Sequence, residues 1–139
     1  MLKKIKLISL LFLIGGSIYA LLEILYRRKT HISMFIAGGV CLVLIHYFCN
    51  VINPFCRFCK VIKAAMCSAL ITVIEFIIGF FVNILMGLQV WDYSELSFNL
   101  LGQICPQLTF IWFLLSFPAI FVTEKVNKIT QKSKVNLNI

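Results

Sequence analysis

Glu23 and Glu75 sit inside long hydrophobic stretches, and they are the side chains best placed to do chemistry in this sequence. A carboxylate within a bilayer costs roughly 3 kcal/mol on insertion scales, so it faces a polar interior and takes a partner. Glu23 reaches Arg27 one helical turn on, in the favourable acid-first order. Glu75 has no cation within a turn of itself, and Arg27 or Arg28 is the partner expected for it. Asp92 and Glu95 follow in a polar stretch, and the same cations would neutralise them. His31, next to Thr30, can cap a loop, titrate near neutral pH or join a ligand set. Glu23, His31, Glu75 and Asp92 could supply oxygen and nitrogen ligands, but no spacing enforces a metal site. No cofactor is implied. The chemistries open to such a set are a polar path for a transported species, phosphate binding by Arg27 and Arg28 with acid–base work by a carboxylate or His31, or a charge-balanced plug.

These groups are held by hydrophobic segments. Of the 139 residues 61% are hydrophobic and 13% charged, with a mean hydropathy of +1.00. Soluble domains average about 25% charged residues. The pattern predicts an all-α integral membrane protein: four spans at about 7–26, 32–49, 64–90 and 104–123, as one domain, with a basic tail (1–6) and a polar tail (124–139). The basic start and apolar run imitate a signal peptide, but Ile18 would occupy the position three before the cut, so the segment reads as a retained span. Pro106 suits the start of the last span, and Pro118 should kink or end it.

The net charge of +8 comes in short clusters beside hydrophobic segments. That pattern speaks for topology and lipid contact rather than nucleic-acid binding. With both termini in the cytoplasm of a cell-membrane protein, ten of the 13 Lys and Arg lie inside. The other three, Arg27, Arg28 and Lys29, lie on the disfavoured side and need a physical reason. The six cysteines include one CxxC, Cys56 and Cys59. A zinc site needs about four ligands and no second pair follows.

Within the spans, polar and small residues recur at helical spacing. The stripes are Gly16, Tyr19, Glu23 and Arg27; Gly39, Val43, His46 and Asn50; Ser68, Thr72, Glu75, Gly79 and Asn83; and Cys105, Thr109, Trp112, Ser116 and Ala119. Such stripes are where helices pack and hydroxyls bond across. Between the third and fourth spans lies Trp91–Cys105 (WDYSELSFNLLGQIC). Trp91 and Tyr93 suit a membrane surface. Asp92 and Glu95 resemble a capping box, predicting a short interfacial or re-entrant helix that aims Asp92, Ser94, Asn99 and Gln103 at the bundle. SIYALLE and SALITVIE, ending at Glu23 and Glu75, form a faint internal echo of two parallel hairpins.

Several blocks together resemble a known family. They are Glu23–Met34 (EILYRRKTHISM), Gly38–Gly39, Thr72–Asn83 (TVIEFIIGFFVN) and WDYSELSFNLLGQIC with Trp112 beyond it. The family is described as putative ABC-transporter type IV, also called CmpB; vertebrate proteins of the transmembrane 229 type look related. The likeness runs from about Leu13 to about Ile120. It implies a small multi-pass membrane protein labelled a permease component, with no established catalytic residues. By position, the motif residues are Glu23, Arg27, Thr30, His31, Glu75, Gly79, Asn83, Trp91, Asp92, Tyr93, Ser94, Asn99, Gly102 and Gln103. The chain departs from the pattern at Ser97, where proline is usual, at Arg27–Lys29, where Arg-Gly-Arg is usual, and at His46, where a smaller residue is usual. No GxxxxGK[ST] phosphate loop occurs, so an ATPase would be a separate subunit. The partners expected are the lipid bilayer and either further copies of the chain or that subunit.

Overall fold

A computed structural model describes residues 2–52 and 59–135. Four helices carry the chain: α1 Leu2–Arg27, α2 Ile32–Ile52, α3 Lys60–Gly79 and α4 Pro106–Val135. Each is long and apolar enough to cross a membrane. Among the described residues there is no strand, only an isolated antiparallel bridge between Leu100 and Ile104. The protein is an all-helical, multi-pass membrane protein.

Local chemistry sets the helix ends. Arg28 takes a left-handed conformation (φ 56°) and its N–H reaches back to Ile24 O at 2.9 Å, closing α1. His31 then caps α2: its Nδ1 lies 3.3 Å from Ser33 N and 2.9 Å from Ser33 Oγ, and its carbonyl accepts Met34 N–H at 2.9 Å. Pro106 opens α4, where its missing N–H costs nothing. Pro118 lies inside α4, which continues past it to Val135 rather than stopping, so residues 124–135 of the polar tail are helical. The third segment ends before its hydrophobicity does. After Gly79 it widens into a π-helical turn, Phe80–Leu85, and breaks at Gly87 (φ 66°). Residues 86–90 are therefore not helical.

α1 and α2 form one antiparallel hairpin, α3 and α4 the other, and α2 packs against both helices of the second. Lys4 lies over the Tyr47 ring and Asn127 bonds Asn50 at 2.7 Å, so the start of α1 and the ends of α2 and α4 share one end of the bundle. The opposite end holds the α1–α2 turn and the long segment between α3 and α4, joined by the Arg27 guanidinium donating to Val90 O. A core around Ile45, Ala64, Cys67, Ile71 and Ile120 fills the first end. Met34, Tyr19 and Trp91 fill the second.

Most of each inward stripe is buried or half-buried, Asn50 at the end of α2 being exposed. Gly16, Tyr19 and Glu23 are buried, as are Gly39 and His46, Ser68, Glu75, Gly79 and Asn83, and Cys105 and Ser116. Leu21, Leu25, Val73, Ile77, Leu114 and Phe121, on the other faces, are exposed, as suits lipid contact.

The Trp91–Cys105 stretch is not a helix; turns replace the expected one. Asp92 does act as a cap, but of a turn: its Oδ1 accepts the N–H of Ser94 at 2.9 Å and the hydroxyl of Ser94. A side-chain carboxylate accepting the backbone N–H two residues along is the Asx-turn pattern, and it competes with a helix start. Phe98 (φ 59°), Leu101 (φ 53°) and Gly102 (φ 67°) in left-handed conformations then prevent any regular helix from forming. Cys56, with Pro54 and Arg57, lies outside the described residues; Cys59 is half-buried at the start of α3.

Candidate functional site: a buried carboxylate and the loop clamped above it

Glu75 lies in α3, 4% exposed. Its Oε1 accepts the Tyr19 hydroxyl of α1 at 3.2 Å, and its Oε2 accepts the Trp112 indole N–H of α4 at 2.6 Å. The Tyr19 and Trp112 rings stack with centroids 5.2 Å apart. Three helices thus meet on one carboxylate. The cationic partner expected for Glu75 is not used. Neutral donors serve because an indole N–H and a phenol O–H reach the interior without bringing a second charge to desolvate.

Arg27 has other tasks. Its Nε stands 3.4 Å from Glu23 Oε2, the i,i+4 pair read from the spacing, and its guanidinium also takes Val90 O. Arg28, Lys29 and Thr30 are exposed in the turn outside this cluster. His31 caps α2 rather than joining the carboxylates. Among the described residues no group of three His, Cys, Asp or Glu converges as metal ligands would, so Glu23, His31, Glu75 and Asp92 do not form a common site.

Asn83, carried inward by the π-helical turn, clamps the loop. Its Oδ1 accepts Val90 N–H at 2.7 Å, and its Nδ2 donates to Trp91 O at 3.1 Å and to Gln103 Oε1 at 2.8 Å. Trp91 Nε1 donates to Gln103 O at 3.1 Å, and Gln103 Nε2 to Leu101 O at 2.9 Å. Gly79 is required beneath them: a Cβ there would stand 2.5 Å from Gln103 Oε1 and 2.8 Å from Trp91 Cζ2. Tyr93 packs on the same Trp91 cluster. Burial and the nearby Glu75 hold its hydroxyl well above the ordinary tyrosine range.

The outer part of the loop is a second network. Asn99 Nδ2 donates to Ser94 O at 3.0 Å and Leu96 O at 2.8 Å, and its Oδ1 accepts Gly102 N–H at 3.0 Å. The Ser94 bonds hold the exposed Asp92 carboxyl below the usual carboxylate range. Asp92, Ser94 and Asn99 therefore shape the loop from outside. Glu23, Arg27, Glu75, Asn83, Trp91 and Gln103 are the candidates that come together, with Tyr93 packed beside them.

Two partners were not singled out in the sequence as Glu75's donors, Tyr19 and Trp112. Both sit on the same inward stripes as the charged residues, at the level of Glu75, and that was the available signal. At the other end of the bundle Cys49 and Cys67, both free thiols, pack in one core, and Lys63 is buried as well.

Two cavities flank the site, both lined mostly by apolar side chains. One, of about 140 Å³, lies between α1, α2 and α4 and has Tyr19 and Trp112 in its wall. The other, about 570 Å³ and open, lies between α3, α4 and the loop near Phe98 and Cys105. No curated protein and no solved structure matches the chain. A family model does, over residues 8–138, nearly the whole length, a range that includes Glu75 and Asn83. The chain belongs to the family described as putative ABC-transporter type IV.

Proposed function

We propose that this chain is a transport-related membrane subunit that works within an assembly rather than alone. The observation that carries the reading is the Glu75 carboxylate, tied to Tyr19 of the first hairpin and Trp112 of the second. With the Arg27–Val90 bond it is the polar link between α1 and the α3–α4 hairpin. A latch of this kind sets how the two hairpins stand relative to each other, which is what a subunit that changes shape with a partner must control. The family description supports association with a separate ATPase. The ten-to-three division of Lys and Arg supports an orientation with both termini cytoplasmic.

Glu75→Gln tests the reading. The amide carbonyl keeps Trp112 as donor, and the Tyr19 hydroxyl turns to accept from the amide N–H, so the fold is retained while the charge is lost. In native membranes, normal insertion with loss of the transport phenotype is the expected result. A tagged full-length chain should also bring down an ATP-hydrolysing subunit whose rate changes in Glu75→Gln.

A second reading, a purely structural module, draws on the closure of the cluster: its carboxylate is bonded on both oxygens and neither flanking cavity is polar. Under that reading Glu75→Gln combined with Arg27→Gln leaves the phenotype intact, and that result would sink the transport assignment. A lipid-phosphate enzyme would hold phosphate with Arg27 and Arg28 beside an acid–base group, and of the two only Arg28 is exposed in the turn. Arg27 is instead committed to Glu23 and Val90, and Asp92 stands apart.

A further inference from the structure

The cavity between α1 and α4 carries a ligand proposal distinct from the transport reading. α1 packs on α2, α4 packs on α3 and α2, and α1 and α4 leave a cleft between them. Ile18 and Leu22 of α1, 48% and 36% exposed, line it together with Leu115, Pro118 and Ala119 of α4, of which Pro118 is also exposed. Pro118, in the cavity lining, lies inside α4, where it removes one backbone bond of the helix. The cleft extends along α1 from Gly15 to Leu22, about 10 Å, and along α4 from Trp112 to Val122, about 15 Å. Its volume, about 140 Å³, is close to that of an apolar cavity of about 150 Å³ that stays dry and accepts a benzene-sized molecule. This is room for a stretch of hydrocarbon chain, with nothing to satisfy a polar ligand.

Beyond Leu22 the same helix leads into a cationic turn. Ile18 and Leu22 continue at the same four-residue spacing to Tyr26, 81% exposed, and the turn just after the helix carries Arg28 and Lys29. Neither cation has an ion pair among the described residues. From Gly15 to Arg27 α1 rises about 18 Å, against roughly 15 Å for the hydrocarbon of one leaflet. The cleft therefore begins near mid-bilayer when the Arg28–Lys29 turn is at headgroup level, with an aromatic at the boundary between them.

We propose that this cleft is a binding site for one acyl chain of an anionic phospholipid, whose headgroup is held by Arg28 and Lys29. The site gives those two cations a reason to lie on the sparsely charged end of the bundle, while Arg27 serves the fold. Attraction of an anionic headgroup by surface cations has the right sign and is strong enough to select among lipids that share the same chains.

The test uses the full chain in vesicles and the fluorescence of Trp112, which lines the cleft. The probe is phosphatidylglycerol with brominated acyl chains, compared with phosphatidylcholine carrying the same chains. Brominated phosphatidylglycerol should quench at a mole fraction roughly thirtyfold lower, the scale of two Lys or Arg contacts near a membrane surface. Trp112→Phe, which leaves Trp91, should lose the saturable component. Arg28→Gln with Lys29→Gln should abolish the headgroup preference while quenching persists. Filling the cleft by Ala119→Leu should abolish saturable quenching by both lipids. Ile18→Phe, also in the lining, gives the same answer if the first variant fails to fold. Equal quenching by both lipids in the native chain would overturn the headgroup assignment. Quenching unchanged by filling, or appearing only on dilution of the chain to monomers, would overturn the site, the latter showing a helix of a second copy in the cleft. Because no readout involves ATP hydrolysis or flux, the site stands or falls separately from the transport role.

Discussion

Replacing Asn83 by alanine is the most informative perturbation of the fold. The side chain makes three hydrogen bonds, to Val90 N, Trp91 O and Gln103 Oε1, and is itself 8% exposed. A neutral hydrogen bond contributes about 1 kcal/mol net, and side-chain bonds between membrane helices average about 0.6 kcal/mol. Three such bonds, lost where water has little access, give about 2–3 kcal/mol. Asn99 offers an internal control, since it also makes three hydrogen bonds but two of them lie at the exposed surface of the loop. Water replaces those partners, so Asn99→Ala should cost under about 1 kcal/mol. The assay is reversible unfolding in mixed micelles followed by helical circular dichroism and tryptophan emission, with protease cleavage in residues 88–105 as a local readout. Asn83→Ala should unfold earlier and expose the loop to cleavage; Asn99→Ala should do neither to the same degree. Equal effects from the two variants, or a silent Asn83→Ala, would refute the claim that burial of the clamp, rather than its bond count, fixes the loop.

The remaining expectations follow from the same geometry. Glu75→Leu leaves the Trp112 N–H and Tyr19 hydroxyl without their acceptor and should destabilise by about 2–4 kcal/mol, whereas Tyr19→Phe removes one bond and should cost about 1 kcal/mol; micelle unfolding distinguishes the two. Gly102→Ala places a Cβ 2.5 Å from Asp92 Oδ1 and 2.6 Å from Ser94 Oγ at φ 67°, while Gly87→Ala at φ 66° meets open space. Gly87→Ala should therefore cost only the conformational penalty, about 1 kcal/mol, and Gly102→Ala clearly more. Asp92 has a depressed pKa in the folded loop, so its contribution is present above about pH 4 and is lost as pH falls through the lower folded value. Amide exchange in residues 92–102 should accelerate in that acid window, and Asp92→Asn should flatten the profile.

Much of the architecture is legible in the residues because membrane segments obey simple rules. Apolar length gives four spans, and polar residues at spacings of three and four mark the inward faces. The Glu23–Arg27 pair is local to one helix and follows from spacing alone. The partners of Glu75 do not. Electrostatics in sequence points to arginine, yet the tertiary arrangement brings Tyr19 and Trp112 within reach from two other helices. The loop shows the same limit. Asp92 and Glu95 have the spacing of a helix start, but the Asx turn at Ser94, the left-handed residues Phe98, Leu101 and Gly102, and the Asn99 bonds hold another path.

By itself, then, the sequence determined an all-helical membrane protein of four spans, the face each span turns inward and the family to which it belongs. These depend on hydrophobic length, helical period and short motifs, all properties of neighbouring residues. Only the tertiary structure decided which donors Glu75 holds, that Asn83 clamps a non-helical loop, and that α1 and α4 leave a cleft between them with Trp112 in its wall. Those outcomes depend on contacts between residues tens of positions apart, where small differences in helix packing choose among partners that the chain order leaves equally available.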